Sequence, residues 1–116
     1  MKKKDIIELE EYLMLMRIID ANPQMTQREL SAGLGLSLGK INYLLKSMIE
    51  KGFIKVDNFK NSKNKIAYMY YMTPKGIEEK VKITYRFLKR KLAEHENLEE
   101  EILHLKHEVE SRQLPM

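Results

Sequence analysis

The chain has 116 residues, 43% of them apolar and 33% charged, with no cysteine and a net charge of +4. This length holds one compact domain and one further element, and the missing thiols exclude disulfides, thiolate metal sites, thiol nucleophiles and thiol redox sensing. No apolar run approaches the roughly 20 residues that cross a bilayer, and MKKK is not followed by the apolar stretch of a secretory signal, so a cytoplasmic location is the simplest reading.

Residues 5–21, DIIELEEYLMLMRIIDA, place Ile6, Leu9, Leu13, Met16 and Ile19 at three- and four-residue steps, which makes one face of a helix. Tyr12, Leu15 and Ile18 widen that stripe beyond what one neighbour covers. The helix is therefore expected to pack on two sides, with a second subunit as one candidate cover. Asn22-Pro23 ends it, because the residue before proline avoids helical geometry. Thr26 opens the next helix through a Thr-x-x-Glu capping box with Glu29. This short helix, about residues 27–33, buries Leu30 and Leu34, and Gly33 and Gly35 supply the freedom to turn sharply. Ser37 caps a third helix that runs to about Lys51, with Gly52 as its stop.

Phe53, Ile54, Val56 and Phe59, then Ile66, Tyr68, Tyr70 and Tyr71, are strand formers. The polar, basic KNSKNK between them makes the tip of a hairpin. Thr73-Pro74 starts another helix, with an N-cap threonine and proline at the first helical position. Nothing but Gly76 interrupts it before about Arg112, and at 1.5 Å per residue it spans roughly 55 Å.

Leu30, Leu34, Leu36, Ile41 and Leu44 fall at fixed offsets around Gly35, with the small Ser31 where two helices come closest. That is a helix-turn-helix pattern. Hiding Ile41, Leu44, Leu45 and Met48 leaves Gly39, Lys40, Asn42, Tyr43, Lys46 and Ser47 on the outward face. Asn42 can bond adenine through two hydrogen bonds, and Lys40 or Lys46 can reach guanine acceptors or phosphates. Gly39 admits a groove wall, and Tyr43 can stack on sugar or touch a thymine methyl group. Thr26, Gln27, Arg28 and Ser37 lie at helix N-termini, where backbone N–H groups favour a phosphate. In the hairpin tip Lys60, Lys63 and Lys65 suit phosphate or minor-groove contact. Residues 22–76 carry nine Lys/Arg against three Asp/Glu, whereas 1–21 carry four against five and 77–116 eight against nine. Excess positive charge confined to one segment is what a polyanion-binding face requires. The plain alternative is an αα-hairpin with a solvated basic exterior.

Helix, helix, helix, hairpin is the order of a winged helix-turn-helix. TQRELSAGLGLSLGKINYLLKSMIEKG, the wing and MTPKG together resemble the MarR family of bacterial transcriptional regulators. More narrowly, NFKNSKNK followed by Y-x-Y-x-x-TPKG is similar to its exopolysaccharide-associated (EPS) subgroup. The resemblance covers roughly residues 8–110. It implies a homodimer on a palindromic operator, usually acting as a repressor, with one recognition helix per half-site. The residues it carries over are Ser37, Gly39, Lys40, Asn42, Tyr43 and Lys46 on that helix, and Lys63 and Lys65 on the wing. Many members have two C-terminal helices and a longer N-terminal arm that frame a ligand pocket. This chain has one long helix instead, which leaves a small-molecule effector an open question.

In the tail, Ile77, Val81, Tyr85, Leu88 and Leu92 are expected to be buried on the chain's own winged domain, with Ile83 and Phe87 as a second stripe there. Leu88, Leu92, His95, Leu98, Ile102, Leu105 and Val109 are the expected dimerisation residues of a short coiled coil. The two three-residue steps from Leu92 to Leu98 make a stammer-like slip. Lys89, Arg90 and Lys91 precede His95, and Glu99, Glu100 and Glu101 follow it. An antiparallel pair centred near His95 sets opposite charges together, whereas a parallel pair sets like against like. His95 reads as a polar residue fixing register, with protonation near pH 6 as its alternative role.

Glu101 and His104 have a spacing known from di-metal bundles, and His107 shares the face of His104. Such sites need carboxylates from several further helices, so no metal and no other cofactor is expected. No Ser-His-Asp pattern, phosphate-cradling glycine loop or paired carboxylates point to an enzyme, and the eight methionines read as core filling. The expected fold is mainly α with a small β-hairpin, a winged helix-turn-helix over residues 1–76 followed by a C-terminal dimerisation helix over 77–116. The expected function is sequence-specific binding of double-stranded DNA by a homodimeric transcriptional regulator. The alternative is a protein-interaction module that uses its coiled coil, with the winged domain as scaffold.

Overall fold

The computed structural model describes residues 3–60 and 66–112. Its elements, in chain order, are α1 (Lys3–Ala21), α2 (Gln27–Leu34), α3 (Leu38–Glu50), β1 (Ile54–Lys60), β2 (Ile66–Met72) and α4 (Pro74–Ser111). The architecture is mainly helical with one antiparallel hairpin, β1 against β2. The chain divides into two compact units, Met1–Ile83 and Thr84–Met116.

Local chemistry sets the short helices. Glu29 donates its backbone N–H to the Thr26 hydroxyl at 3.1 Å, and Thr26 N–H returns to the Glu29 carboxylate at 3.3 Å. This reciprocal box satisfies two donors that a helix start leaves free. Gly35 ends α2 in the left-handed region, at φ 68°, where a side chain is strained. Its N–H and that of Leu36 both reach the Ser31 carbonyl, while the Ser31 hydroxyl donates to the Leu36 carbonyl. Ser37 then accepts from Lys40 N–H at 3.1 Å and opens α3.

The core of the first unit lies where α1, α2, α3 and the hairpin converge. Leu15, Met16 and Ile19 of α1 meet Leu30 of α2 and Ile41, Leu44, Leu45 and Met48 of α3, all at 2% exposure or less. Each such burial contributes roughly 1.5–3 kcal/mol before entropy is counted. Both stripes of α1 are used, because Tyr12 and Leu15 are buried within this one chain as deeply as Leu13 and Met16. In the hairpin Ile54 lies opposite Met72 and Val56 opposite Tyr70. Ile54 and Tyr70 are buried, whereas Val56 and Tyr68 are exposed. Tyr70 N–H also donates to the Pro23 carbonyl at 3.1 Å, which ties β2 to the loop after α1.

The rotation of α4 differs from the expectation. Ile77, Val81, Tyr85, Leu88 and Leu92 are all about half exposed or more, and the fully buried residue is Ile83. The cause sits at the helix start. The Thr73 hydroxyl donates to the carbonyls of Gly52 and Phe53 and accepts from Gly76 N–H at 2.9 Å. Thr73 N–H donates to the same Phe53 carbonyl at 3.0 Å. Gly76 is pressed so closely on Phe53 that an added Cβ would lie 2.7 Å from its carbonyl carbon. The face carrying Gly76 and, two turns on, Ile83 is thereby turned to the core. Lys80, between them, pairs with Asp20 of α1 at 3.1 Å. The stripe led by Ile77 is left uncovered.

Candidate nucleic-acid interface

The helix expected from the sequence to carry recognition is α3. Its buried side, Ile41, Leu44, Leu45 and Met48, orients the opposite side outward. Along the centre of that outward side run Gly39, Tyr43 and Lys46, all exposed, with Tyr43 at 54%. Gly39 has no atom within 4 Å of where a Cβ would stand, so the surface there is open. Asn42 sits half-buried on one flank.

The other flank is engaged with α1. Lys40 Nζ lies 3.3 Å from Glu11 Oε1, with the carboxylate side chain 13% exposed. The same ammonium stands 5.4 Å from the centre of the Tyr43 ring. Lys40 and Tyr43 border an open crevice whose α1 wall carries Glu8 and Glu11. Two turns further along, Ser47 Oγ is hydrogen-bonded to the Tyr12 hydroxyl at 2.5 Å. Lys51, the C-cap of α3, donates to that hydroxyl at 3.0 Å. The hydrogen bond to Tyr12 holds the Lys51 ammonium above its ordinary pKa of 10.5, against a smaller desolvation that lowers it. Lys51 is thus a cation at every physiological pH.

At the start of α2, Arg28 is exposed, while Gln27 donates to the Tyr70 hydroxyl at 3.2 Å and so braces α2 on β2. The hydroxyls of Thr26 and Ser37 are occupied as helix caps. Lys60 ends β1, and Lys63 and Lys65 lie outside the described residues. Arg28, Gly39, Tyr43 and Lys46 are thus exposed and Asn42 half-buried, whereas Lys40 and Ser47 are turned to α1. Glu11 and Tyr12, the α1 partners of Lys40 and Ser47, were not among the site residues expected from the sequence, nor was Lys51, which shares the Tyr12 hydroxyl. Tyr12 left one signal, as a hydroxyl-bearing residue on a stripe that packs inward and so needs a polar neighbour.

Residues 13–55, from the second half of α1 to the start of β1, match the family model described as winged helix-turn-helix DNA-binding. The first unit is a winged helix-turn-helix. Solved structures share that architecture beyond the matched segment. The chain aligns with the Multiple Antibiotic Resistance Repressor MarR over 97% of its own length and 88% of the other, at TM-score 0.58 and 19% identity. It aligns with the S. aureus MepR–DNA complex over 88% and 77%, at 0.54 and 19%, and with Streptococcus pneumoniae FabT in complex with DNA over 89% and 71%, at 0.51 and 20%. At such identities the likeness is one of fold. No curated protein sequence matches the chain. Within the winged helix-turn-helix, α3 is the second helix of the helix-turn-helix and the β1–β2 hairpin is the wing.

Proposed function

We propose that this chain is a homodimeric transcription regulator that binds duplex DNA with α3 in the major groove. The observation that carries the reading is the open line Gly39, Tyr43, Lys46 on a helix whose other side is locked into the core. Arg28, Asn42 and Lys46 provide base-edge or phosphate contacts, and Lys40 is a further cation held at the edge of the face. Lys60, Lys63 and Lys65 fall by sequence at the wing and contact the adjacent phosphates. MepR and FabT, of the same fold, were crystallised with DNA, which supports a DNA partner here. The role is that of a repressor, with exopolysaccharide genes as the target suggested by the NFKNSKNK and TPKG motifs.

Dimerisation is assigned to α4, with antiparallel helices. Its outward apolar residues, among them Leu88, Leu92, Leu98, Ile102 and Leu105, are 43–58% exposed in one chain. A stripe of that length left in water marks an interaction surface. The same stripe favours the second reading, an interaction module that joins a different helical protein. An anisotropy titration against inverted-repeat DNA, with light scattering on the free protein, tests both. A dimer whose affinity falls on Lys46→Ala supports the regulator, whereas a monomer with no affinity for any duplex supports the module.

A further inference from the structure

We infer that a second copy of the chain docks along α4 in one antiparallel register, with the two His95 residues at its centre. This rests on the homodimer reading above and adds which residues meet. The outward stripe runs Tyr85, Leu88, Leu92, His95, Leu98, Ile102, Leu105, every one of them exposed. Its steps are 3, 4, 3, 3, 4, 3, and that series reads the same from either end. In the sequence the symmetry continues by one more step of four each way, to Val81 and Val109.

Reversal symmetry about one residue is what an antiparallel pair of identical helices needs. Centred on His95, it sets Leu92 level with the partner's Leu98, Leu88 level with the partner's Ile102, and Tyr85 level with the partner's Leu105. Each layer then joins two large apolar groups that one chain leaves in water. The overwound step at His95 meets the same step in the partner, so the seams stay matched through the slip. A register displaced by seven residues fails at that point, because it brings Leu98 level with the partner's Glu99.

The apolar series alone also admits a parallel, in-register pair. Charge separates the two arrangements. Parallel helices set Lys89 and Lys91 beside their own copies, and Glu99 and Glu101 beside theirs. The antiparallel register places the lysines along the stretch that the partner's Glu99 and Glu101 flank. Among the described residues of the single chain, these groups hold exposed local contacts. Lys91 is 3.2 Å from Glu94, His95 3.0 Å from Glu99, and Lys89 lies 5.6 Å from the Tyr85 ring centre. Such surface contacts are weak and exchange readily for interchain ones.

The absence of cysteine allows a direct test. Leu88→Cys and Ile102→Cys are made separately in the full chain, at positions exposed in the monomer, so that folding is undisturbed. Under mild oxidation the mixture should give a disulfide-linked dimer of the two variants. Neither variant alone should cross-link, since like positions lie about 21 Å apart along the paired helices. His95→Cys alone should link to its own copy. Self-linking of Leu88→Cys, the absence of product from the mixture, or a light-scattering mass equal to one 13.8 kDa chain overturns the register. The readout uses no DNA, so a failure to bind DNA sinks the regulator reading and leaves this one standing.

Discussion

Glu11 and Lys40 stand 3.3 Å apart across α1 and α3, and the pair ties a cation on the edge of the outward face of α3 to a carboxylate of α1. Glu11 is the more enclosed partner, and Glu8 lines the same crevice beside Tyr43. On the proposed placement of α3, the pair keeps Lys40 from a DNA phosphate, in a place where two carboxylates repel the incoming backbone.

Glu11→Gln should consequently tighten DNA binding. The ion pair it removes is partly exposed and worth up to about 1 kcal/mol, so affinity at low salt should rise about threefold to fivefold. The freed cation adds one phosphate contact, which steepens the plot of log affinity against log salt by about 0.9. A salt series by fluorescence anisotropy checks both. Unchanged affinity and slope would mean that Lys40 stays off the DNA.

Lys46→Ala and Tyr43→Ala should separate binding from folding. Both side chains are exposed, so the melting temperature should move by no more than about 1–3 °C. Affinity should drop for both. Lys46→Ala should weaken all sequences alike and flatten the salt slope by about one contact. Asn42→Ala should instead cost about 1–3 kcal/mol at one base position, seen as relaxed selectivity among operator variants.

Tyr12→Phe tests the brace at the far end of α3. It keeps the ring against which Lys51 stands, 4.8 Å from the centre, and removes the hydroxyl shared with Ser47 and Lys51. Leaving Ser47 with an unmet polar group should destabilise the fold by about 1–2 kcal/mol in urea. Because the Lys51 pKa is raised in the folded chain, its contribution is fully present below pH 10.5 and is lost as pH rises through the folded value. The stability gap between the parent chain and Lys51→Met should accordingly be flat through neutral pH and close above about pH 10.5. A gap that widens there would contradict this sign.

The features that were legible from residues alone are those set by near neighbours. Thr26 with Glu29, Ser37 with Lys40 N–H, and Thr73 before Pro74 each act within three residues, so their helix starts could be placed from the chain. The face of α3 was legible because Ile41, Leu44, Leu45 and Met48 leave only one other side. The rotation of α4 was not. Its two stripes, one through Ile77 and Val81 and one through Ile83 and Phe87, have equally helical spacing, and the choice is made by Gly76 against the backbone of Phe53, 23 residues earlier in the chain. The partners of Lys40 and Ser47 were hidden for the same reason. Glu11 and Tyr12 reach them only after α1 and α3 have packed.

Two glycines should therefore respond in opposite ways to alanine. At Gly76 the new Cβ meets backbone, which cannot swing aside, so α4 must shift off Phe53. A loss of about 2–4 kcal/mol is expected, in the range of overpacked core sites. Gly39 is helical and faces open space, so alanine there should stabilise the chain by about 0.5–1 kcal/mol. If α3 lies against a groove wall at that point, the added methyl group stands where the wall must come, and DNA affinity should fall while the melting temperature rises. Chemical denaturation paired with a binding titration on Gly39→Ala measures both changes in one preparation. A variant both more stable and unchanged in affinity would show that the start of α3 does not approach the DNA closely.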